Sequence, residues 1–261
     1  FTMKLKKIAS LMLAGVMAVS MLAGCSTASN GGNNGGEGEG EGEGTVVSGY
    51  SSVLGEALKN VDCIKDKDYI TFQDNAADEA ALQTAVDAVE AEALEDYATT
   101  WGANLISGDN GYFKGDTSKR MEKIFVNGAK ISDDDLKNGD IAMAWYAGYN
   151  NNEANSYSKF INTSAKDGVL YVVNGAVTVE QAVKMVAEKI EDQLNGENAL
   201  PETNAAPTNC DGEDCTAYGS YKYNYTISVS VVDKTQQSDY DQASNFAHFI
   251  AVTVSRTAKV A

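Results

Sequence analysis

In the stretch Lys222-Tyr-Asn-Tyr-Thr-Ile-Ser-Val-Ser-Val231, polar residues alternate with aromatic or branched apolar ones. Alternation over this length predicts a half-buried β-strand. A second such stretch, Phe246-Ala-His-Phe-Ile-Ala-Val-Thr-Val-Ser-Arg-Thr257, follows a polar connection and places His248 on its more apolar face. We expect the two strands to pair in the antiparallel direction.

A third strand is predicted by the continuous apolar run Gly168-Val-Leu-Tyr-Val-Val-Asn174. Such a run is typical of an internal strand that is covered on both faces. Asn174-Gly175 then turns the chain, Thr178-Val-Glu-Gln181 forms a capping box that begins a helix, and Asn195-Gly196 ends it. The sequence therefore predicts an α+β fold, with this strand and the C-terminal pair in one antiparallel-containing sheet and helices packed on one face.

Helical periodicity runs from about Asn75 to Ser107, where apolar residues recur every three or four positions. These residues are Leu82, Val86, Val89, Ala93, Tyr97, Trp101 and Leu105. We expect a long helix that Asp74 or Asn75 caps, with a break possible near 99–102. Aromatic residues at this spacing usually belong to the core, so Tyr97 and Trp101 are both assigned to it. A short helix at about 52–61 and a brief strand near 69–72 are expected before this helix.

Two further elements are predicted between 124 and 146. Asn127-Gly128 lies between short β-prone runs and favours a type I′ hairpin. Ser132-Asp-Asp-Asp135 is interpreted as the start of a helix that runs from Leu136 to about Tyr146. Its three acids would complement the helix dipole without a bound ion. We assign no metal site and no cofactor to the sequence.

The charge balance argues against a nucleic-acid partner. The 261 residues contain 37 acids and 20 lysines or arginines, for a formal net charge of −17. Nucleic-acid binding draws its affinity from basic side chains that neutralise phosphates. The chain also has a single histidine, which excludes catalytic schemes that need two.

The N-terminal segment resembles a bacterial lipoprotein signal peptide. Three lysines at 4, 6 and 7 precede a short apolar run, Ile8–Met21, and the segment ends in Leu22-Ala-Gly-Cys25. The last four residues resemble a lipobox. The resemblance implies cleavage before Cys25 and attachment of a diacylglycerol to its thiol, so residues 1–24 are assigned as signal peptide.

Residues 25–44 are assigned as a lipidated flexible linker, because 30–44 contain only glycine, asparagine and glutamate. Residues 45–261 are assigned to a single α+β domain. Two acyl chains at Cys25 suffice for stable anchoring. We therefore expect the lipid at Cys25 to anchor the protein to the outer face of the cell membrane.

The other three cysteines leave alternatives open. Cys210 and Cys215 flank Asp-Gly-Glu-Asp and can close a small disulfide ring outside the cytoplasm or remain free thiols. Cys63 and His248 are the available pair for a thiol hydrolase. The segment around the thiol, Asn60-Val-Asp-Cys-Ile-Lys65, has no nucleophile signature. We therefore assign no catalytic residues.

Two resemblances bear on function. The stretch His248-Phe-Ile-Ala-Val252, with Thr257 and Val260, resembles the histidine-bearing strand of the CAP superfamily, whose pattern also has a tryptophan in this strand and a second histidine. This chain has Val254 and a lone histidine instead.

The chain is also similar to uncharacterised lipoproteins of anaerobic Gram-positive gut bacteria. The features that match are the signal peptide, the Gly-rich linker and the strands at 171–174 and 252–257. This resemblance implies no activity.

These observations favour a membrane-anchored extracytoplasmic lipoprotein that binds or scaffolds an extracellular ligand or protein. Two alternatives stay open. A transporter solute-binding protein would need two lobes, for which 45–261 is short, and repeated βα units, which the pattern lacks. A cell-wall hydrolase would need a Cys/His pair or a CAP-like site.

Overall fold

The computed structural model describes residues 49–106, 112–113, 115–133, 136, 140–147, 161–194, 199–204, 220–237 and 244–261. Tyr50–Ala261 form one compact unit. The segments predicted as signal peptide and linker, together with Cys25, lie outside the described residues, as do Cys210 and Cys215. In the described part of the chain, no helix is long and apolar enough to cross a membrane.

The described residues contain a five-stranded sheet in the order β1-β4-β5-β3-β2. Its strands are β1 (Ile70–Phe72), β2 (Ala103–Leu105), β3 (Ala165–Asn174), β4 (Tyr221–Gln237) and β5 (Ser244–Val260). β5 pairs with β3 and β4 in the antiparallel direction, β2 pairs with β3 likewise, and β1 runs parallel to β4. This confirms the predicted α+β class, with both C-terminal strands and the 169–173 strand in one sheet.

Helices cover both faces of the sheet, where one covered face was expected. The described helices are α1 (Tyr50–Leu58), α2 (Ala76–Asp87), α3 (Ala91–Ala98), α4 (Asp116–Ala129) and α5 (Val179–Gln193). One core joins α1 and α5 to side chains such as Val169 and Val252, and a second core joins α2, α3 and α4 to Val172 and Phe249. β3 and β5 are apolar on both sides, so each side requires its own cover.

The predicted long helix is two helices and a strand. Asn75 caps α2 as expected, because its side chain accepts a hydrogen bond from the Ala77 N–H at 3.0 Å. The helix ends at Asp87, and α3 begins only after Glu90, whose backbone is extended. Residues 103–105 then leave the helical path and pair with the outer edge of β3. The helical spacing of apolar residues therefore continues into residues 103–105, although these residues pair as a strand.

The predicted hairpin at Asn127-Gly128 is wrong, since both residues lie inside α4. A Cβ at Gly128 would lie 2.8 Å from the Cβ of Ala81. The glycine therefore lets α4 pack closely on α2 and does not form a turn. The helix ends instead at Ala129, where the capping residue Lys130 adopts the left-handed conformation at φ 57°.

The predicted helix from Leu136 to Tyr146 is also wrong. The described residues of this segment contain only one 3₁₀ turn, Trp145–Ala147. Ser132 does not cap a helix, because its N–H donates to the Lys166 carbonyl at 2.9 Å and its hydroxyl accepts from the Lys166 N–H at 2.7 Å. These bonds tie the segment to the start of β3, and the Asp133 carboxylate accepts from the Tyr146 hydroxyl at 2.9 Å.

Candidate functional site

His248 is buried, and both of its ring nitrogens are engaged. Nδ1 lies 2.6 Å from a carboxylate oxygen of Asp233, and Nε2 lies 2.9 Å from the Val177 carbonyl. Both partners are acceptors, so the ring satisfies them best when both nitrogens carry a proton. Burial lowers the pKa of His248, but the two hydrogen bonds and the charge of Asp233 outweigh it and raise the pKa above the ordinary value. The ring therefore connects β5 to β4 and to the turn that precedes α5.

Cys63 does not lie near His248 in the structure. Its thiol is buried, and desolvation raises its pKa to about 11. It lies close enough to Tyr69 to interact electrostatically, and the Tyr69 carbonyl accepts from the Tyr225 N–H at 2.8 Å. His248 pairs with Asp233, eight residues further along β4, which corresponds to about 26 Å of strand. The residues of the thiol-hydrolase alternative are therefore at opposite ends of the sheet.

A buried polar cluster surrounds Arg256, and its contacts hold irregular segments onto the sheet. The guanidinium lies 4.2 Å from the centre of the Tyr223 ring and donates to the Thr163 carbonyl at 3.3 Å. The Tyr223 hydroxyl donates to the Ile161 carbonyl at 2.8 Å, and the Tyr225 hydroxyl donates to the Pro201 carbonyl at 2.7 Å. The side chains of this cluster therefore bind backbone carbonyls in segments that lie outside the helices and strands.

The candidate site is an open cleft beside the end of α3. Among the described residues, the large apolar side chains that are exposed are Trp101 at 95%, Val260 at 82% and Tyr112 at 69%. Trp101 and Tyr112 line the same cleft, whose volume is about 560 Å³. The remaining described lining residues are Asp96, Thr99, Thr100, Asn104 and Phe113. We call this set the Trp101 cleft.

Local hydrogen bonds hold the turn that carries Trp101. The Thr99 hydroxyl donates to the Glu95 carbonyl at 3.0 Å, and the Thr100 hydroxyl donates to the Tyr97 carbonyl at 3.0 Å. Asn104 then closes the turn, because its Nδ2 donates to the carbonyls of Trp101 at 3.0 Å and Gly102 at 3.2 Å. Gly102 has a positive φ of 79°, a conformation that favours glycine. The turn at Trp101 is thus fixed by its own residues while the indole stays in solvent.

A row of aromatic rings connects the cleft to the core. Phe249 on β5 is fully buried, and its ring centre lies 5.5 Å from that of Tyr97. Tyr97 in turn lies 4.4 Å from Phe113, which lies 4.9 Å from Tyr112. The Tyr97 hydroxyl is 2.8 Å from the Ser118 hydroxyl on α4. Tyr112 is therefore an exposed ring supported by packed ones, a preorganised contact surface.

The described lining of the Trp101 cleft is polar and weakly acidic. Asp96 is its carboxylate, the threonines and Asn104 are neutral, and none of these lining residues is a lysine or arginine. Such a lining suits a neutral ligand better than an anion, because no cation compensates the desolvation of a negative group.

The assignment of Trp101 to the core is wrong. Tyr97, one helical turn earlier, is 2% exposed and follows the expectation, but α3 ends at Ala98 and the chain turns before Trp101. The signal that could have located the site is Thr99-Thr100-Trp101-Gly102, since two hydroxyl residues followed closely by a glycine are typical of a helix end. Tyr112, the other exposed ring, lies in a segment for which no pattern was found.

Comparisons of the chain with protein-family models, curated proteins and solved structures find no significant match.

Proposed function

We propose that the protein is a lipid-anchored extracytoplasmic binding protein that holds its ligand in the Trp101 cleft. The observation that carries the proposal is the 95% exposure of Trp101 beside the exposed Tyr112, in one cleft that is fixed to the core.

Binding gives these exposed rings a role that folding does not. Burial of a large apolar side chain contributes about 1.5–3 kcal/mol, and folding leaves most of this contribution unused at Trp101. Tryptophan and tyrosine dominate binding hot spots because they offer a large rigid surface and a polar tip. The packing of Phe113 on Tyr97 reduces the conformational entropy that a ligand would have to remove.

The expected anchor is compatible with this role. A lipid at Cys25 followed by the Gly/Glu linker would hold the domain at the outer face of the membrane. Fifteen linker residues span roughly 20 Å on average as a flexible coil. The excess negative charge of the chain would keep the domain off anionic headgroups and leave the cleft accessible.

The geometry gives less support to the alternatives. A two-lobed solute-binding protein encloses its ligand between lobes, whereas the described residues form one sheet within the compact unit Tyr50–Ala261. A cell-wall hydrolase with a Cys/His pair would need Cys63 beside His248, but the buried thiol lies far from that ring. In either form of the hydrolase, His248 would need a ring nitrogen for the reaction, and both nitrogens already contact groups of the protein.

The ligand part of the proposal is tested with the whole chain in detergent micelles. Saturation-transfer NMR is recorded with a mixture of mono- and oligosaccharides, amino acids and short peptides, for the wild type and for the double variant W101A/Y112A. We expect at least one class of solute to receive saturation from the wild type and none from the variant. Transfer that is equal in the two proteins, or absent from both, would overturn the assignment of the cleft as the binding site.

The anchor part is tested in bacterial cells that express the chain with radiolabelled palmitate. The wild type should incorporate the label, and Cys25→Ala should neither incorporate it nor be processed. Trp101→Ala is the matched control and should label like the wild type. Equal labelling of Cys25→Ala would contradict the anchor without affecting the cleft.

A further inference from the structure

The chemistry of the Trp101 cleft identifies a class of ligand, on the basis of the function proposed above. We propose that the cleft binds a neutral saccharide chain, with sugar rings stacked on Trp101 and Tyr112 and their hydroxyl groups hydrogen-bonded to the lining.

The flat exposed rings supply the first half of the recognition. A pyranose ring presents aliphatic C–H groups on its faces and hydroxyl groups around its rim. An exposed indole accepts the apolar face of such a ring by dispersion and by displacement of water. Trp101 is almost completely in solvent, so its ring can receive a flat partner without any rearrangement of the protein.

The polar lining supplies the second half, because it is rich in hydrogen-bond acceptors. The hydroxyls of Thr99 and Thr100 both donate to helix carbonyls, so their oxygens remain as acceptors. Asn104 uses Nδ2 for its two donor bonds, which leaves its carbonyl oxygen as an acceptor. The Asp96 carboxylate accepts as well. A ligand with many hydroxyl donors matches this set, and a saccharide offers several on each ring.

Charge and shape narrow the class further. An acidic sugar, a phosphate or a sulfate would approach Asp96 on a chain of net charge −17, and the described lining holds no cation to receive it. The cleft is open, and its volume of about 560 Å³ falls in the range of small-ligand sites, roughly 300–1,000 Å³. Two exposed rings in one open cleft favour part of a chain over a single enclosed sugar.

The test is isothermal titration of the whole chain in micelles with defined probes. The neutral probes are hexasaccharides of dextran, cellulose, mannan and xylan; the others are hexagalacturonate and a proline-rich decapeptide. We expect at least one neutral hexasaccharide to bind and hexagalacturonate to bind at least tenfold more weakly. Trp101→Ala should weaken the neutral interaction at least about tenfold, and Tyr112→Ala several-fold.

Val260→Ala is the matched control, because it removes an exposed apolar side chain that lies outside the Trp101 cleft. It should bind the hexasaccharide like the wild type. If no neutral hexasaccharide binds, or if hexagalacturonate binds best, the inference is overturned. If only the decapeptide binds and Trp101→Ala abolishes that binding, the saccharide class is wrong while the proposed binding function stands. A hexasaccharide affinity that is indifferent to Trp101→Ala contradicts both.

Discussion

The regions around His248 and Trp101 place their functional groups in opposite environments. At His248 a titratable ring is buried, and both nitrogens are bound to groups of the protein itself. At Trp101 an indole that could have been buried is left in solvent, on a turn whose backbone is held by Asn104 and Gly102.

This difference indicates where to seek function in the molecule. A polar group whose partners are all internal stabilises the fold, whereas a large exposed side chain on a fixed turn retains binding free energy for a partner. We expect substitutions of these two kinds of residue to differ in their effect on the stability of the fold.

The inner end of the aromatic row should carry the largest effect. Phe249 is fully buried against Tyr97, and removal of a buried phenylalanine typically costs about 3–5 kcal/mol. Phe249→Ala should lower the free energy of unfolding by about that amount. Urea denaturation monitored by circular dichroism measures this change. A loss below about 1 kcal/mol would mean that Tyr97 and Phe113 are not packed on the core, and the support for Tyr112 would disappear.

His248 should carry an intermediate and pH-dependent effect. Its pKa is raised in the folded protein, so its contribution is fully present below the unfolded pKa, about 6.5, and is lost as the pH rises through the folded pKa. His248→Gln should cost on the order of 1 kcal/mol at pH 6, and the cost should shrink at higher pH. Urea denaturation from pH 5.5 to 9 measures it. A cost that grows with pH would contradict the protonated ring bound to Asp233 and the Val177 carbonyl.

Trp101 should carry the smallest effect on stability. Its side chain is 95% exposed, and exposed substitutions usually change stability by less than about 0.5 kcal/mol. The thermal midpoint of Trp101→Ala should therefore match that of Val260→Ala and of the wild type. A clear drop would place the indole in the core and remove the argument for a binding surface.

Much of the sheet could be predicted because its signals are local. Alternation located β4 and β5, the apolar run located β3, and the capping box at Thr178 located the start of α5, where both of its reciprocal bonds are present. Each of these patterns reports the burial or hydrogen bonding of the segment that contains it.

The second helical layer could not be predicted in the same way, because packing decided it. Asn127-Gly128 has the local preference of a turn, but contact with Ala81 on α2 makes the glycine a close-packing residue within α4. Its buried positions Met121, Phe125 and Ala129 do follow a helical spacing, which the turn preference obscured.

The Trp101 cleft was missed for a related reason. Tyr97 and Trp101 continue one apolar stripe, but periodicity does not say where a helix ends. The helix ends at Ala98, before Trp101, and the chain continues into β2. The pairing of β2 with β3 depends on residues far away in the sequence. His248 shows the same limit of local patterns. Its position in a strand was predictable, but the contact of its second ring nitrogen with the Val177 carbonyl was not.

Fluorescence quenching can show whether the Trp101 indole is exposed in the unliganded protein and covered when a ligand binds. The chain has two tryptophans, so the Trp101 signal is obtained as the difference between the wild type and Trp101→Phe. We expect acrylamide to quench this signal nearly as efficiently as it quenches free tryptophan, and we expect the neutral hexasaccharide that binds to reduce the quenching. If the Trp101 signal is shielded in the free protein, or remains equally quenched when the hexasaccharide is bound, Trp101 is not part of the binding surface.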